Sequence, residues 1–243
     1  MKNQLLILLS IFFISQSFLS QNFRVIEKSK LPIKEIYFGK ASKLKSKYHE
    51  FEISELITVD DYKLFLKAIY QDSGAVIYNQ YLPHGSVNEK FIIDAFWSDS
   101  TFGNEPAIGI TWESAQAYCK WLGEILQSEK KYSYRLPNVY EWCIYFNQSN
   151  LIDLKKFGLF SEWTINAMDE SLYENNPKQN PINSFEYEHR AEDPKVLKRK
   201  IALGNNFMEK FEFPIDAAVR NYYADEGYRT IGFRVVRTQI KEK

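Results

Sequence analysis

Cysteine is nearly missing from this chain: there are two in 243 residues. A fold stapled by several disulfides and a thiolate-rich zinc cluster are both excluded. Histidine is as scarce. His49, His84 and His189 lie far apart, and "HEFEI" at His49 lacks the second histidine of a zinc helix. No phosphate-binding glycine loop and no G-x-S-x-G elbow occur. Charge of one sign is also missing, since 31 Lys and Arg balance 31 Asp and Glu. No global field therefore favours nucleic acid or an anionic membrane. The one basic run, "KVLKRK" (Lys195–Lys200), reads as an exposed strand or loop with solvated charges. Beyond the first twenty residues no apolar stretch reaches membrane-spanning length. Internal repeats and Pro/Gly-rich linkers are absent too, so residues 21–243 read as a single domain.

What is present begins at the N-terminus. Lys2 precedes "LLILLSIFFI" (Leu5–Ile14), and small and polar residues follow in "SQSFLSQ". Residues 1–20 read as a secretory signal peptide, with cleavage after Ser17 or near Ser20 and Gln21. No cysteine stands at this boundary, so the expected product is periplasmic or secreted and not lipid-anchored. Aromatic residues make up 16% of the chain, which favours irregular loops pinned by large side chains.

Three helices announce themselves. "TVDDYKLFLKAI" (Thr58–Ile69) opens on a Thr cap with Asp61 three residues on, and Val59, Tyr62, Phe65, Leu66 and Ile69 form its apolar stripe. "TWESAQAYCKWLGEIL" (Thr111–Leu126) places Trp112, Ala115, Tyr118, Cys119 and Leu122 on one face. "PNVYEWCIYF" (Pro137–Phe146) has Asn138 as cap and Glu141 at the capping-box position. Residues 169–193, rich in Asn, Pro, Glu and Ser, read as a long surface excursion. "RTIGFRVVRTQ" (Arg229–Gln239) reads as a strand, with Gly232 allowing close approach of a neighbour. Cys119 and Cys143 both lie on apolar helix faces, which favours two buried thiols. A disulfide in an oxidising compartment is the alternative, and it needs Cα atoms within ~7 Å.

The order of these pieces resembles the formylglycine-generating enzyme domain, also called the sulfatase-modifying factor domain. "FEISELITVDDYKLFL", "PAIGITWESAQAYCKWLG", "YRLPNVYEW", "GLFSEWT" and "IGFRVVR" follow one another as the family's motifs do, over roughly Ile36 to Arg237. The resemblance implies an α+β, loop-rich fold related to C-type lectins. It makes Trp112, Arg135, Glu141, Trp142, Glu162, Trp163 and Arg234 the structural motif residues. It also places Cys119 at a core position of the second helix.

Two departures from the family pattern stand out. Active members bind copper through a cysteine pair near the C-terminus. In the matching "GNNFMEKFEFPIDAAVR" (Gly204–Arg220), Glu209 and Phe213 or Pro214 take those places. Neither a carboxylate nor a benzyl ring replaces a thiolate on Cu(I). Copper and formylglycine chemistry are therefore expected to be absent, with no catalytic residue of that kind. In the family's calcium-binding "GNVWEW", Leu159 stands where Asn is expected, which puts calcium in doubt. Glu162 then reads as satisfying backbone amides around Trp163.

"AVRNYYADEGYR" places Arg220, Tyr222, Tyr223, Asp225 and Tyr228, with Glu209 upstream, where the family builds its substrate groove. Aromatic faces beside an Arg suit a peptide or glycan; the same residues would equally serve as loop cover for the core. Two functions stay open on this reading. One is an exported, non-catalytic module binding an envelope protein or glycan; the resemblance adds that divergent members of the family serve as structural parts of bacterial gliding and secretion machinery. The other is an enzyme, an oxidoreductase or an acid–base catalyst using Glu209, that employs the groove without copper.

Overall fold

The computed structural model describes residues 24–26, 36–38, 42–44, 50–126, 132–148, 159–167, 199–208 and 219–240. The signal peptide, the 169–193 excursion and Glu209 lie outside the described residues. Ten strands and four α-helices fall within them. Strands β1 (Arg24–Ile26), β2 (Ile36–Phe38), β3 (Ser42–Leu44) and β4 (Phe51–Ile53) come first. Helices α1 (Val59–Gln80), α2 (Lys90–Ser98) and α3 (Trp112–Ile125) follow. Then come β5 (Tyr132–Arg135), α4 (Val139–Gln148), β6 (Ser161–Ala167), β7 (Arg199–Leu203), β8 (Val219–Tyr223), β9 (Ile231–Gly232) and β10 (Val236–Gln239). One sheet runs β1-β4-β10-β5, a second β8-β7-β6-β9, and β2 and β3 form a hairpin. The class is α+β.

Capping chemistry starts the helices where the sequence places them. Thr58 accepts from the Asp61 amide while the Asp61 carboxylate accepts from the Thr58 amide at 3.2 Å, a complete capping box. At α4, the Asn138 amide donates to Glu141 Oε2 at 2.8 Å and the Glu141 amide to Asn138 Oδ1 at 2.9 Å. Each reciprocal pair satisfies two amides that the first turn leaves without helical partners. The Thr111 hydroxyl takes the Ser114 amide at 3.0 Å and starts α3.

Helix α1 runs past Ile69 because Gly74, at φ 76°, joins two helical stretches across a kink. A left-handed φ of this kind costs glycine nothing and other residues about 1–2 kcal/mol. Helix α2 is an addition to the three expected helices: it has no side-chain cap, and Ile93 alone is buried. The C-terminal segment is not one strand. Gly232 ends β9 in one sheet and Val236 starts β10 in the other, with Phe233, Arg234 and Val235 buried between them. The run is rich in β-branched and aromatic residues on both sides of the crossing, and only the positions of its partners decide where it changes sheet.

The core between the helices and the first sheet is aromatic. Tyr62 packs edge-on to Phe65 at 5.2 Å and Trp97 at 5.7 Å, and stacks with Tyr118 at 5.9 Å. Phe233 meets Tyr118 edge-on at 5.4 Å. Fully burying such side chains contributes about 1.5–3 kcal/mol each. The one polar atom Tyr62 carries inward is satisfied, its hydroxyl donating to the Tyr81 carbonyl at 2.9 Å.

Candidate functional site

The second sheet positions the candidate residues, and β7–β8 pairing decides which of them meet. Lys200 lies opposite Tyr222 and Ala202 opposite Arg220, while Arg199 lies opposite Tyr223 and Ile201 opposite Asn221. Side chains alternate along a strand. Lys200, Arg220 and Tyr222 therefore share one face with Trp163, which pairs with Ala202. Arg199, Asn221 and Tyr223 share the other.

On the first face the aromatics are joined. Tyr222 and Tyr228 have ring centroids 4.7 Å apart, and lie 6.0 and 6.1 Å from Trp163. Trp163 is anchored by its indole N–H, which donates to the Ile110 carbonyl at 3.0 Å. Trp112 donates likewise to the Thr164 carbonyl at 2.7 Å. The Lys200 ammonium sits 3.9 Å from the centre of the Trp112 ring and is only 3% exposed. This overturns the solvated reading of "KVLKRK" at its last residue: β7 inserts Lys200 under an indole whose electron-rich face stabilises the cation. Tyr228 donates to Glu226 at 2.8 Å, and burial followed by that carboxylate pushes its phenol up.

Of the six groove candidates, Arg220, Tyr222 and Tyr228 come together, Tyr223 is turned to the reverse face, and Asp225 is exposed in the turn after β8. Trp112 and Lys200 belong with the first three, although neither was assigned to the groove. Strand alternation in "RKIAL" and "VRNYY" was a usable signal for this. The register that pairs them was not in the sequence.

The structural residues form two clamps. Arg135 grips Glu141 with both guanidinium nitrogens, at 2.6 and 2.7 Å, tying β5 to the start of α4. Glu162, fully buried, accepts from Trp142 Nε1 at 2.9 Å and from Arg234 Nε at 2.8 Å. It therefore serves two side chains rather than backbone amides, joining β6, α4 and the C-terminal crossing. Arg234 also reaches the Ser54 carbonyl at 3.2 Å.

Residues 34–145 match the model of the sulfatase-modifying factor enzyme 1-like domain. Over those residues the chain is similar to the sulfatase-modifying factor domain. The same fold recurs in solved structures. PvdO from Pseudomonas aeruginosa is 14% identical, with a TM-score of 0.54 over 89% of this chain and 91% of that one. CarF is 15% identical, with a TM-score of 0.55 over 92% and 100%. Treponema denticola variable protein 1 is 12% identical, with a TM-score of 0.50 over 88% and 94%. At these identities the likeness speaks for fold alone, the formylglycine-generating-enzyme type related to C-type lectins. Compared by sequence with curated proteins, the chain finds no match.

Among the described residues, the two thiols and the Glu162 carboxylate are already engaged in the core. Copper(I) needs accessible thiolates. Cys119 and Cys143 are unbridged, and their residues are 1% and 0% exposed in the middle of α3 and α4. Burial also pushes the Cys119 thiol up, away from the thiolate. Calcium needs six or more oxygens. At its motif the Glu162 carboxylate is already neutralised by Arg234, Leu159 is half-exposed, and no cluster of three or more acidic, His or Cys groups occurs among the described residues.

Proposed function

We propose that this sulfatase-modifying factor domain is an exported, non-catalytic member of its family that binds a protein or glycan at the bacterial cell envelope. The observation that carries the reading is the placement of both thiols. A formylglycine-generating reaction needs a reactive sulfur pair at the groove, whereas Cys119 and Cys143 pack inside helices with their side chains in the core. What remains at the groove position is a platform of Trp112, Tyr222 and Tyr228, half-buried, with Arg220 beside it. Rigid aromatics next to a guanidinium suit recognition of sugar rings and of peptide side chains. Export is supported by the apolar leader at residues 5–14, and among the described residues no helix is long and apolar enough to cross a membrane.

The test is copper(I) loading of the purified mature protein, alongside Cys119→Ser and Cys143→Ser, with a cysteine-containing sulfatase peptide as substrate. The expected result is no retained copper and an unmodified peptide. Stoichiometric copper that either serine variant loses would overturn the reading. Partner capture from an envelope fraction then compares wild type with Tyr222→Ala, which is expected to lose the partner without losing its fold.

A further inference from the structure

The reverse face of the second sheet carries a cation with a different setting. The Arg199 guanidinium donates from Nη1 to Asn221 Oδ1 at 2.6 Å and from Nη2 to the Tyr223 hydroxyl at 3.1 Å. Its carbon lies 4.7 Å from the centre of the Tyr223 ring. Among the described residues its hydrogen-bond partners are these two neutral groups, and its Nε is buried with no partner at all. A guanidinium carries five N–H donors in a planar fork that matches a carboxylate. Here the fork is held against the Tyr223 ring and by two hydrogen bonds, with its charge balanced by no anion among them. Strands β7 and β8 carry Arg199, Lys200 and Arg220 and no Asp or Glu. In the turn after β8, Asp225 is exposed and Glu226 accepts from the Tyr228 hydroxyl.

Arg199 also stands beside a sheet edge. In the order β8-β7-β6-β9, strand β8 is outermost among the described strands. The Tyr223 amide turns away from β7 to donate to the Tyr228 hydroxyl at 3.3 Å. Backbone groups alternate in direction along an antiparallel strand. The N–H and C=O of Asn221 therefore point outward as well, two residues upstream of the Tyr228 cover. An edge of this kind accepts an extended chain as an added strand.

We propose that β8 binds an extended acidic peptide segment by strand addition, with a carboxylate of that segment seated on the Arg199 fork. The edge favours a peptide over a glycan, because only a polypeptide supplies the backbone donors and acceptors that Asn221 presents. Arg199, the cation on this face of the two strands, selects an acidic side chain. The site lies on the opposite face from Trp112 and Tyr222 and does not depend on the copper result.

A short fluorescent peptide alternating glutamate and threonine tests this against the full mature chain by polarisation. Controls are the glutamine-for-glutamate peptide, a backbone N-methylated version and an oligomer of galacturonate. The acidic peptide is expected to bind, with affinity falling as salt is added. Arg199→Gln is expected to weaken it about tenfold or more, the loss of a charge-assisted hydrogen bond. N-methylation, which removes ladder donors while keeping the charge, is expected to abolish binding. The idea is overturned if the glutamine peptide binds equally, if the N-methylated peptide binds unchanged, if only the galacturonate oligomer binds, or if nothing binds. Should Arg199→Gln lose its fold by circular dichroism, the three peptides on the wild-type protein still decide.

Discussion

Gly227 shows how a single missing side chain holds two loops together. A Cβ built there would lie 1.9 Å from the His84 carbonyl oxygen and 2.3 Å from that of Gly109. Both are backbone atoms held in place, since the His84 amide donates to Gly109 O at 2.9 Å and the Gly109 amide to Tyr228 O at 3.0 Å. Gly227→Ala is therefore expected to cost about 3 kcal/mol, read as a fall in the urea midpoint with the slope unchanged. Gly232, the glycine that the sequence suggested for close approach, is different. A Cβ there meets Leu56 at 3.4 Å and Pro106 at 3.8 Å, ordinary contact distances. Gly232→Ala is expected to leave stability within about 1 kcal/mol of wild type, on either side. Equal losses for the two variants would show that packing is not what distinguishes these glycines.

Among the elements, α1 depends most visibly on its first turn. Thr58 Oγ1 and the Asp61 carboxylate share a hydrogen bond of 2.7 Å besides the two that close the box. Thr58→Ala removes the acceptor of the Asp61 amide and is expected to cost about 1 kcal/mol. Asp61→Asn keeps an acceptor for the Thr58 amide and is expected to cost less; thermal melting of the two variants checks the order. The three capped helices were legible in the sequence because caps and apolar stripes are local. Helix α2 was not, since Phe91 is 81% exposed and Ile92 43% exposed on a helix that buries Ile93 alone. Its place is held by Trp97, whose indole donates to the Ile108 carbonyl at 2.9 Å, a bond to the following loop that neither capping nor apolar periodicity specifies.

For the whole molecule, the buried neutral acids set an alkaline limit. Burial pushes the Cys119 thiol up from an ordinary 9.0 and the Tyr62 phenol up from 10.0. In the unfolded chain these groups ionise at their ordinary values, whereas in the fold they stay protonated well above them. Their contribution is complete below the unfolded values and is lost as pH rises above them, so the unfolded state gains. Unfolding free energy is expected to stay level for these groups up to pH about 9 and to fall above it. Cys119→Ala is expected to flatten the first part of that fall. Stability unchanged at pH about 11, measured by denaturant titration, would show that the two groups reach solvent.

Local chemistry decided much of this protein before it folded. The order of motifs carries the resemblance to the sulfatase-modifying factor domain; Thr58, Thr111 and Asn138 with their partners set the helix starts; and the chain has no cysteine after Gly204. Each of these needs only neighbours within a few positions or a residue type that is missing. Tertiary structure decided the rest. The crossing from β9 to β10 buries Arg234 against Glu162, 72 positions away in sequence. The pairing of β7 with β8 put Lys200 under Trp112 and split Tyr222 from Tyr223 onto opposite faces. A one-residue change of register would exchange those faces while leaving every local preference satisfied, so only the packed sheet distinguishes the aromatic platform from the Arg199 edge.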